Sequence, residues 1–239
     1  GILNSVGLQN PGVHAFIENE LPFLKQYSAK IIANISGNTI EEYCEMADIL
    51  ATSGVDLIEM NISCPNVKQG GVAFGTNADT VFEITQRVKK HCKQPLIVKL
   101  SPNVTSIQDM AKAAESGGAD ALSLINTLLG MSIDIHTRKP ILANNVGGLS
   151  GPAVKPVAVR MVWQVASVTK LPIIGMGGIM TWEDAVEFIL AGASAVAVGT
   201  ALFADPLASV KVLEGVEAYM AKHNLKSISD FTGKVQIHA

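Results

Sequence analysis

Short apolar runs alternate along the chain with longer amphipathic stretches, and that alternation predicts repeated strand–helix units. The runs at 31–35, 57–62, 96–100, 121–126, 173–176 and 195–198 are each near-continuously apolar and partly β-branched. Strands covered on both faces have that composition. Between them the spacing predicts helices over about 40–53, 78–92, 104–116, 152–169, 182–191 and 206–223. Several of these have readable ends. Thr39 precedes Glu41-Glu42, Asn77 precedes Asp79, and Thr181 precedes Glu183-Asp184, so side-chain oxygens and negative charge fall at helix N-termini. Gly54 and Gly192 stand where left-handed caps are expected.

Six strand–helix repeats in sequence imply a parallel sheet. Six strands do not close a barrel of eight, and an open doubly wound sheet needs no more, so the count leaves both architectures open. The glycines decide between them. No G-x-G-x-x-G follows any strand, which removes the dinucleotide-binding signal of the open sheet. Instead Gly177-Gly178 follows one late strand and Gly199-Thr200 follows the next. Glycine-rich turns after the last two strands are a common phosphate site of (β/α)8 barrels. The expected fold is therefore a (β/α)8 barrel in which these are strands seven and eight, with the first two strands missing before Gly1. The 239 residues are read as one domain, close to the roughly 250 of such a barrel. The chain opens without methionine and is expected to begin in a Gly/Asn turn. Residues 127–151 form an unusually long connection, expected to be an excursion over the barrel top containing a hairpin.

Composition narrows the function. Hydrophobic residues make up 48% and charged residues 16%, which excludes intrinsic disorder. A net charge of −3 and 5% aromatics argue against nucleic acid and against an anionic membrane surface. Three dispersed cysteines, Cys44, Cys64 and Cys92, make no disulfide framework and point to a reducing, cytoplasmic setting. No apolar run is long enough to span a bilayer. The five histidines share no metal-ligand spacing, so no metal is expected. What remains as partner is a small molecule or another protein.

Candidate chemistry gathers at strand C-terminal ends, the face on which barrel enzymes build active sites. Asn34, Asn61, Lys99 and Asn126-Thr127 occupy four such ends in succession. Asn61-Ile-Ser-Cys64-Pro-Asn66 runs off its strand into a segment with Gly70, Gly71 and Gly75, whose glycines suggest a mobile lid. Cys64 is there either a base or nucleophile as its thiolate, or a small buried hydrophobe. Cys44 and Cys92 fall within predicted helices and read as packing. Lys99, in an apolar strand, is either paired or snorkelling, or faces a group that gains negative charge during reaction, or forms a Schiff base. Glu59 alternates with Asn61 and is expected to pair with a cation. Glu41-Glu42 and Glu183-Asp184 read as solvated first-turn charges.

Together these segments carry a resemblance. Ile2-Leu-Asn4-Ser5-Val6-Gly7-Leu8-Gln-Asn10-Pro-Gly12, the 61–66 motif, Val98-Lys99-Leu-Ser-Pro102, Ile125-Asn126-Thr127, Gly147-Gly-Leu-Ser-Gly151-Pro and Gly175-Met-Gly177-Gly178 closely resemble class 1 dihydroorotate dehydrogenases over essentially the whole chain. The resemblance implies an FMN-containing barrel that oxidises dihydroorotate to orotate in pyrimidine biosynthesis. It implies Cys64 as the base that removes the C5 proton while hydride passes from C6 to the flavin. It implies substrate contacts from Asn4, Ser5, Val6, Gly7, Leu8, Asn61, Asn126 and Thr127. Flavin contacts are implied at Asn34, Asn61, Lys99, Ile125, Gly151, Gly177, Gly178, Gly199 and Thr200, with Lys99 facing the N1/O2 edge of the reduced ring. The 67–71 and 147–152 stretches look more like the NAD-dependent subclass than the fumarate-dependent one. That subclass implies a partner subunit carrying FAD and a [2Fe–2S] cluster, in a heterotetramer of two of each chain, because three scattered cysteines here cannot ligate a cluster. The alternatives are a fumarate-dependent or dihydropyrimidine-type flavoenzyme, and a non-catalytic flavin- or phosphate-binding barrel subunit.

Overall fold

The structure is a computed structural model that describes residues 1–62 and 74–238. In chain order its strands are β1 (Ile2–Asn4), β2 (Ile32–Ile35), β3 (Leu57–Asn61), β4 (Leu96–Lys99), β5 (Ala121–Leu124), β6 (Leu128–Gly130), β7 (Ile133–Asp134), β8 (Lys139–Pro140), β9 (Gly147–Ser150), β10 (Ile173–Met176) and β11 (Ala195–Ala197). Its α-helices are α1 (Val13–Ala15), α2 (Leu21–Leu24), α3 (Ile40–Leu50), α4 (Ala78–Lys89), α5 (Ile107–Ser116), α6 (Lys155–Ala166), α7 (Trp182–Ala191), α8 (Ala201–Ala204) and α9 (Ala208–Lys222). A π-helical turn at Phe16–Glu20 joins α1 to α2. The order β2-α3-β3-α4-β4-α5-β5 and then α6-β10-α7-β11 is the strand–helix alternation of the (β/α)8 class.

The chain divides into two compact units. One comprises residues 6–100 and 109–122 and carries the hydrogen-bonded order β5-β4-β3-β2. The other comprises residues 1–5, 101–108 and 123–239 and carries β11-β10-β5. Of β5, residues 121–122 fall in the first unit and residues 123–124 in the second.

In the first unit β2, β3 and β4 are parallel, with Ile32 opposite Leu57, Ile58 opposite Leu96 and Asn61 opposite Lys99. Side chains alternate between faces, and the register sorts them cleanly. Ala33, Ile35, Ile58, Met60, Leu96 and Val98 share one face and are all buried. Ile84 and Val88 of α4 and Ala47 and Leu50 of α3 are buried with them. Asn34, Glu59, Asn61, Ile97 and Lys99 share the opposite face. The first of these faces is wholly apolar, while the second mixes Ile32, Leu57 and the fully buried Ile97 with the polar residues. Thr39 and Asn77 cap α3 and α4, their side chains accepting N–H bonds from Glu42 and from Asp79 and Thr80. Gly54 has φ of 89° but lies beyond the end of α3, whose C-cap is Ala51. Cys92 lies past the end of α4 rather than within a helix.

In the second unit the opening residues are a strand and not the expected turn. β1 pairs antiparallel with β9, and β9 with β6. Within 127–151 the chain also forms the antiparallel pair β7–β8. α7 packs on α9, where Gly215 faces the Trp182 side chain so closely that a Cβ would overlap the indole. Trp182 in turn stacks obliquely on Tyr219, their centroids 6.1 Å apart.

Gly215 therefore carries a prediction. An alanine inside α9 gains about 1 kcal/mol of helix propensity, but overpacking costs about 1–3 kcal/mol or more. Gly215→Ala is expected to lower the thermal denaturation midpoint by several degrees. A raised midpoint would show that α9 moves off Trp182 without cost.

Candidate functional site

The polar face of the first unit holds one cluster. Asn34, the third residue of β2, donates through Nδ2 to Glu59 Oε2 at 2.5 Å. Glu59 is thus held by an amide of the neighbouring strand. Asn61 is 4% exposed and lies opposite Lys99 in the register. Lys99 is the last residue of β4, half-buried after three fully buried apolar residues. An amide and an ammonium at adjacent strand ends, backed by a dry apolar layer, form a face able to hold a planar polar ligand and to oppose negative charge on it.

Asn61 is held from behind. The Tyr43 hydroxyl, on a side chain 1% exposed, donates to the Asn61 carbonyl at 2.7 Å. The same ring meets Phe74 edge-on at 6.0 Å. Gly75 N–H donates to the Ile62 carbonyl at 2.9 Å. Sequence reading missed Tyr43, because an apolar-face tyrosine in a helix carries no signal of what its hydroxyl reaches. Cys64, and the lid reading of the segment around it, lie outside the described residues. The remaining thiols are poor bases. Burial raises Cys44 above its ordinary value and pushes Cys92 up to about 11, so both stay protonated near neutrality.

The second unit holds two clusters. In the first, Gly177 and Gly178 follow β10 with φ of 123° and 82°, and Gly151 follows β9 with φ of 89°. A Cβ on Gly177 would come within 3.2 Å of Ile125 Cγ1, and one on Gly178 within 2.7 Å of the Gly151 carbonyl and 3.0 Å of Lys155 N. Four sequence-predicted residues, Ile125, Gly151, Gly177 and Gly178, are thereby brought together in a turn where backbone replaces side chain. Gly199 meets nothing within 4 Å at its Cβ position, and Thr200 is the N-cap residue of the short α8.

An ionic strap holds this turn. Asp184 Oδ2 accepts from Met180 N–H at 2.8 Å and Thr181 N–H at 2.9 Å, while Oδ1 accepts from Lys155 Nζ at 2.6 Å. Lys155 Nζ also donates to Glu187 at 2.7 Å. Asp184 is thus no solvated first-turn charge: its side chain is 15% exposed. Burial pushes its carboxyl upward, but the Lys155 ammonium and the two N–H groups outweigh that and hold it below its ordinary 3.8. Its contribution to stability is therefore present above that value and is lost as pH falls below it.

The other cluster is built on the β1-β9-β6 sheet. Asn4 lies opposite Gly148, and Gly148 opposite Leu129. Gly147 fits against the Asn4 carbonyl, and Gly148 leaves room for the Thr127 hydroxyl. Thr127 N–H donates to Asn126 Oδ1 at 2.9 Å. Asn4 and Ser5 belong to this unit and Val6, Gly7 and Leu8 to the other. Gly7 and Leu8 both take positive φ, 80° and 59°, in a stretch that is exposed at Val6, Gly7 and Leu8.

Comparisons with known proteins place these residues in a family. A family model described as dihydroorotate dehydrogenase matches residues 1–220. The chain is 65% identical over 235 residues to the "Dihydroorotate dehydrogenase B (NAD(+)), catalytic subunit" of Alkaliphilus metalliredigens, covering 98% of this chain and 78% of the relative. It is 59% identical over 236 residues to the protein of the same description from Lachnoclostridium phytofermentans, covering 99% and 79%. The crystal structure of a dihydroorotate dehydrogenase from Eimeria tenella in complex with ferulenol superposes with a TM-score of 0.82 at 21% identity, over 97% of this chain and 70% of that one. That likeness is one of fold.

The strap yields a prediction with a sign. Asp184→Asn is expected to lower unfolding free energy at pH 7 by about 1–3 kcal/mol, and the gap to wild type should close as pH falls through 3.8. Urea denaturation at pH 7 and pH 3 measures it; a gap independent of pH would show that the carboxylate charge contributes nothing.

Proposed function

We infer the function from one fact: this chain belongs to the dihydroorotate dehydrogenase family. It is an oxidoreductase that oxidises dihydroorotate to orotate in pyrimidine biosynthesis, and it is of the NAD-linked kind. The relatives' shared designation as NAD(+) enzymes, at 65% and 59% identity, sets aside the fumarate-dependent alternative. The structural observation that carries the reading is the register of β2, β3 and β4, which lines up Asn34, Asn61 and Lys99 on one polar face.

The residues fit FMN, the cofactor characteristic of the family. The positive-φ pair Gly177-Gly178 leaves its N–H groups uncovered by any Cβ, as a phosphate cradle requires. Gly151, Ile125, Gly199 and Thr200 complete the phosphate and ring-edge set, and Asn34, Asn61 and Lys99 supply the ring with an amide face and a cation. When bound, FMN supplies the hydride acceptor. Lys99 would offer positive charge to that ring once it is reduced. Cys64 takes the C5 proton of dihydroorotate as its thiolate. Asn4, Ser5, Val6, Gly7, Leu8, Asn61, Asn126 and Thr127 hold the substrate. Tyr43 fixes the backbone at Asn61, and with it the orientation of that amide.

The designation "catalytic subunit" among the relatives supports a separate electron-transfer subunit. FAD and a [2Fe–2S] cluster are proposed to belong to that partner, in an assembly of two copies of each, since three scattered cysteines here do not make a four-thiolate cluster site. No described helix is long and apolar enough to cross a membrane, and the free thiols suit a cytoplasmic setting.

Anaerobic mixing of the FMN-loaded full-length protein with dihydroorotate is expected to bleach the flavin absorbance. Cys64→Ala should slow bleaching at pH 7 by about 10²–10⁴-fold while leaving FMN content intact. Undiminished bleaching in that variant would remove Cys64 from its role, and no bleaching in wild type would remove the reading.

A further inference from the structure

The loop after β4 reaches the candidate substrate cluster through a residue that no motif singled out. Asn103 Nδ2 donates to the Thr127 carbonyl at 3.0 Å, and Asn103 Oδ1 accepts from Leu129 N–H at 3.2 Å. One amide thus bridges two backbone groups two residues apart, as a neighbouring strand would. The amide is itself aimed: Asn103 N–H donates to the buried Ser101 hydroxyl at 3.2 Å, and Pro102 between them restricts the turn.

On the far side, the same two residues meet β9. Leu129 lies opposite Gly148 and Leu128 opposite Leu149, while Gly148 gives way to the Thr127 side chain, whose Cβ would stand 2.8 Å from a Cβ at 148. Thr127 is therefore gripped twice, by an amide on one flank and by a strand lacking a side chain on the other. Asn103 itself is exposed. The hydrophobic core does not need it, and its two hydrogen bonds account for its orientation.

We propose that Asn103 is a positioning residue for the reaction, acting through Thr127 to hold that hydroxyl and its peptide in the geometry that receives dihydroorotate. The inference rests on Thr127 being a substrate contact, as read above. Asn103 does not touch the reacting atoms. It fixes the backbone on both sides of Leu128, so that the Thr127 side chain is presented in one orientation rather than several. Its removal weakens substrate binding and leaves the chemical step almost untouched.

The test is a double-mutant cycle on the full-length FMN-loaded protein, with orotate binding followed by the perturbation of the flavin spectrum. Asn103→Ala is expected to weaken orotate about five- to tenfold, and to raise KM for dihydroorotate by a similar factor. The bleaching rate at saturating dihydroorotate should stay within about twofold. Asn103→Asp keeps an acceptor for Leu129 N–H but sets an oxygen against the Thr127 carbonyl, and should be at least as weak. Thr127→Ala should weaken orotate about tenfold, and Asn103→Ala/Thr127→Ala should be no weaker than Thr127→Ala alone. Thermal midpoints and FMN content should match wild type in the Asn103 variants. Wild-type affinity in both Asn103 variants, or effects that multiply in the double variant, would overturn the inference while leaving Thr127 in place. Wild-type affinity in Thr127→Ala would instead overturn the substrate reading of Thr127, and the inference with it.

Discussion

The alternation of side chains along β2, β3 and β4 is the constraint on which the remaining structure depends. Their register puts six apolar residues on one face, and Asn34, Glu59, Asn61 and Lys99 interleaved with Ile32, Leu57 and Ile97 on the other. A slip by one residue would exchange the faces, carrying a lysine and a carboxylate into the apolar layer and Ile58 and Met60 out of it. The apolar layer thereby locks the polar one. Candidate site residues need no separate device to reach a common face, because burying their neighbours along the strand delivers them there.

The second unit uses a different device, the omission of side chains. At Gly147, Gly148, Gly177 and Gly178 the neighbouring backbone or side chain occupies the space a Cβ would need. Close approach of this kind brings peptide N–H groups and carbonyls near one another, and it needs restraint from outside the turn. The Lys155–Asp184 pair supplies that restraint for 177–181, and the Asn103 amide supplies it for 127–129. Asp184 satisfies the backbone just before its own helix, and Asn103 that of a separate segment; side chains thus meet in irregular segments the hydrogen-bonding demand that strands meet with ladders.

The legible parts of the fold were those with a strong local period. The strand at 173–176 and the helix at 182–191 lie where their patterns put them, and Thr39, Asn77 and Thr181 cap as their positions suggest. Illegible were elements defined by distant partners. Ile2–Asn4 reads as a turn because three residues carry no period, and they become a strand only through pairing with Leu149 and its neighbours. The helical stretch from Val13 to Leu24 was unread for a related reason, since its exposed residues mark no face. Among candidate site residues, the placement of the asparagines and lysine on their strands and of the paired glycines in their turn is legible from position alone. Asp184 was misread because the capping box Thr181-x-x-Asp184 was seen as charge at a helix end, and the partner lysine lies 29 residues earlier. Tyr43 and Asn103 act on backbone atoms, and no side-chain pattern records that.

The β1-β9-β6 sheet joins residue 4 to residue 148. Closing so long a loop carries an entropic cost that local contacts do not, and pairings between remote segments form late in folding. Asn4 can take its place beside Gly148 only after the intervening chain has largely collapsed. During synthesis the earliest candidate substrate residue to leave the ribosome is thus among the last to be docked, and a nascent or partly unfolded chain lacks the Asn4–Gly148 pairing. Assembly of the candidate substrate cluster is in this way tied to completion of the fold.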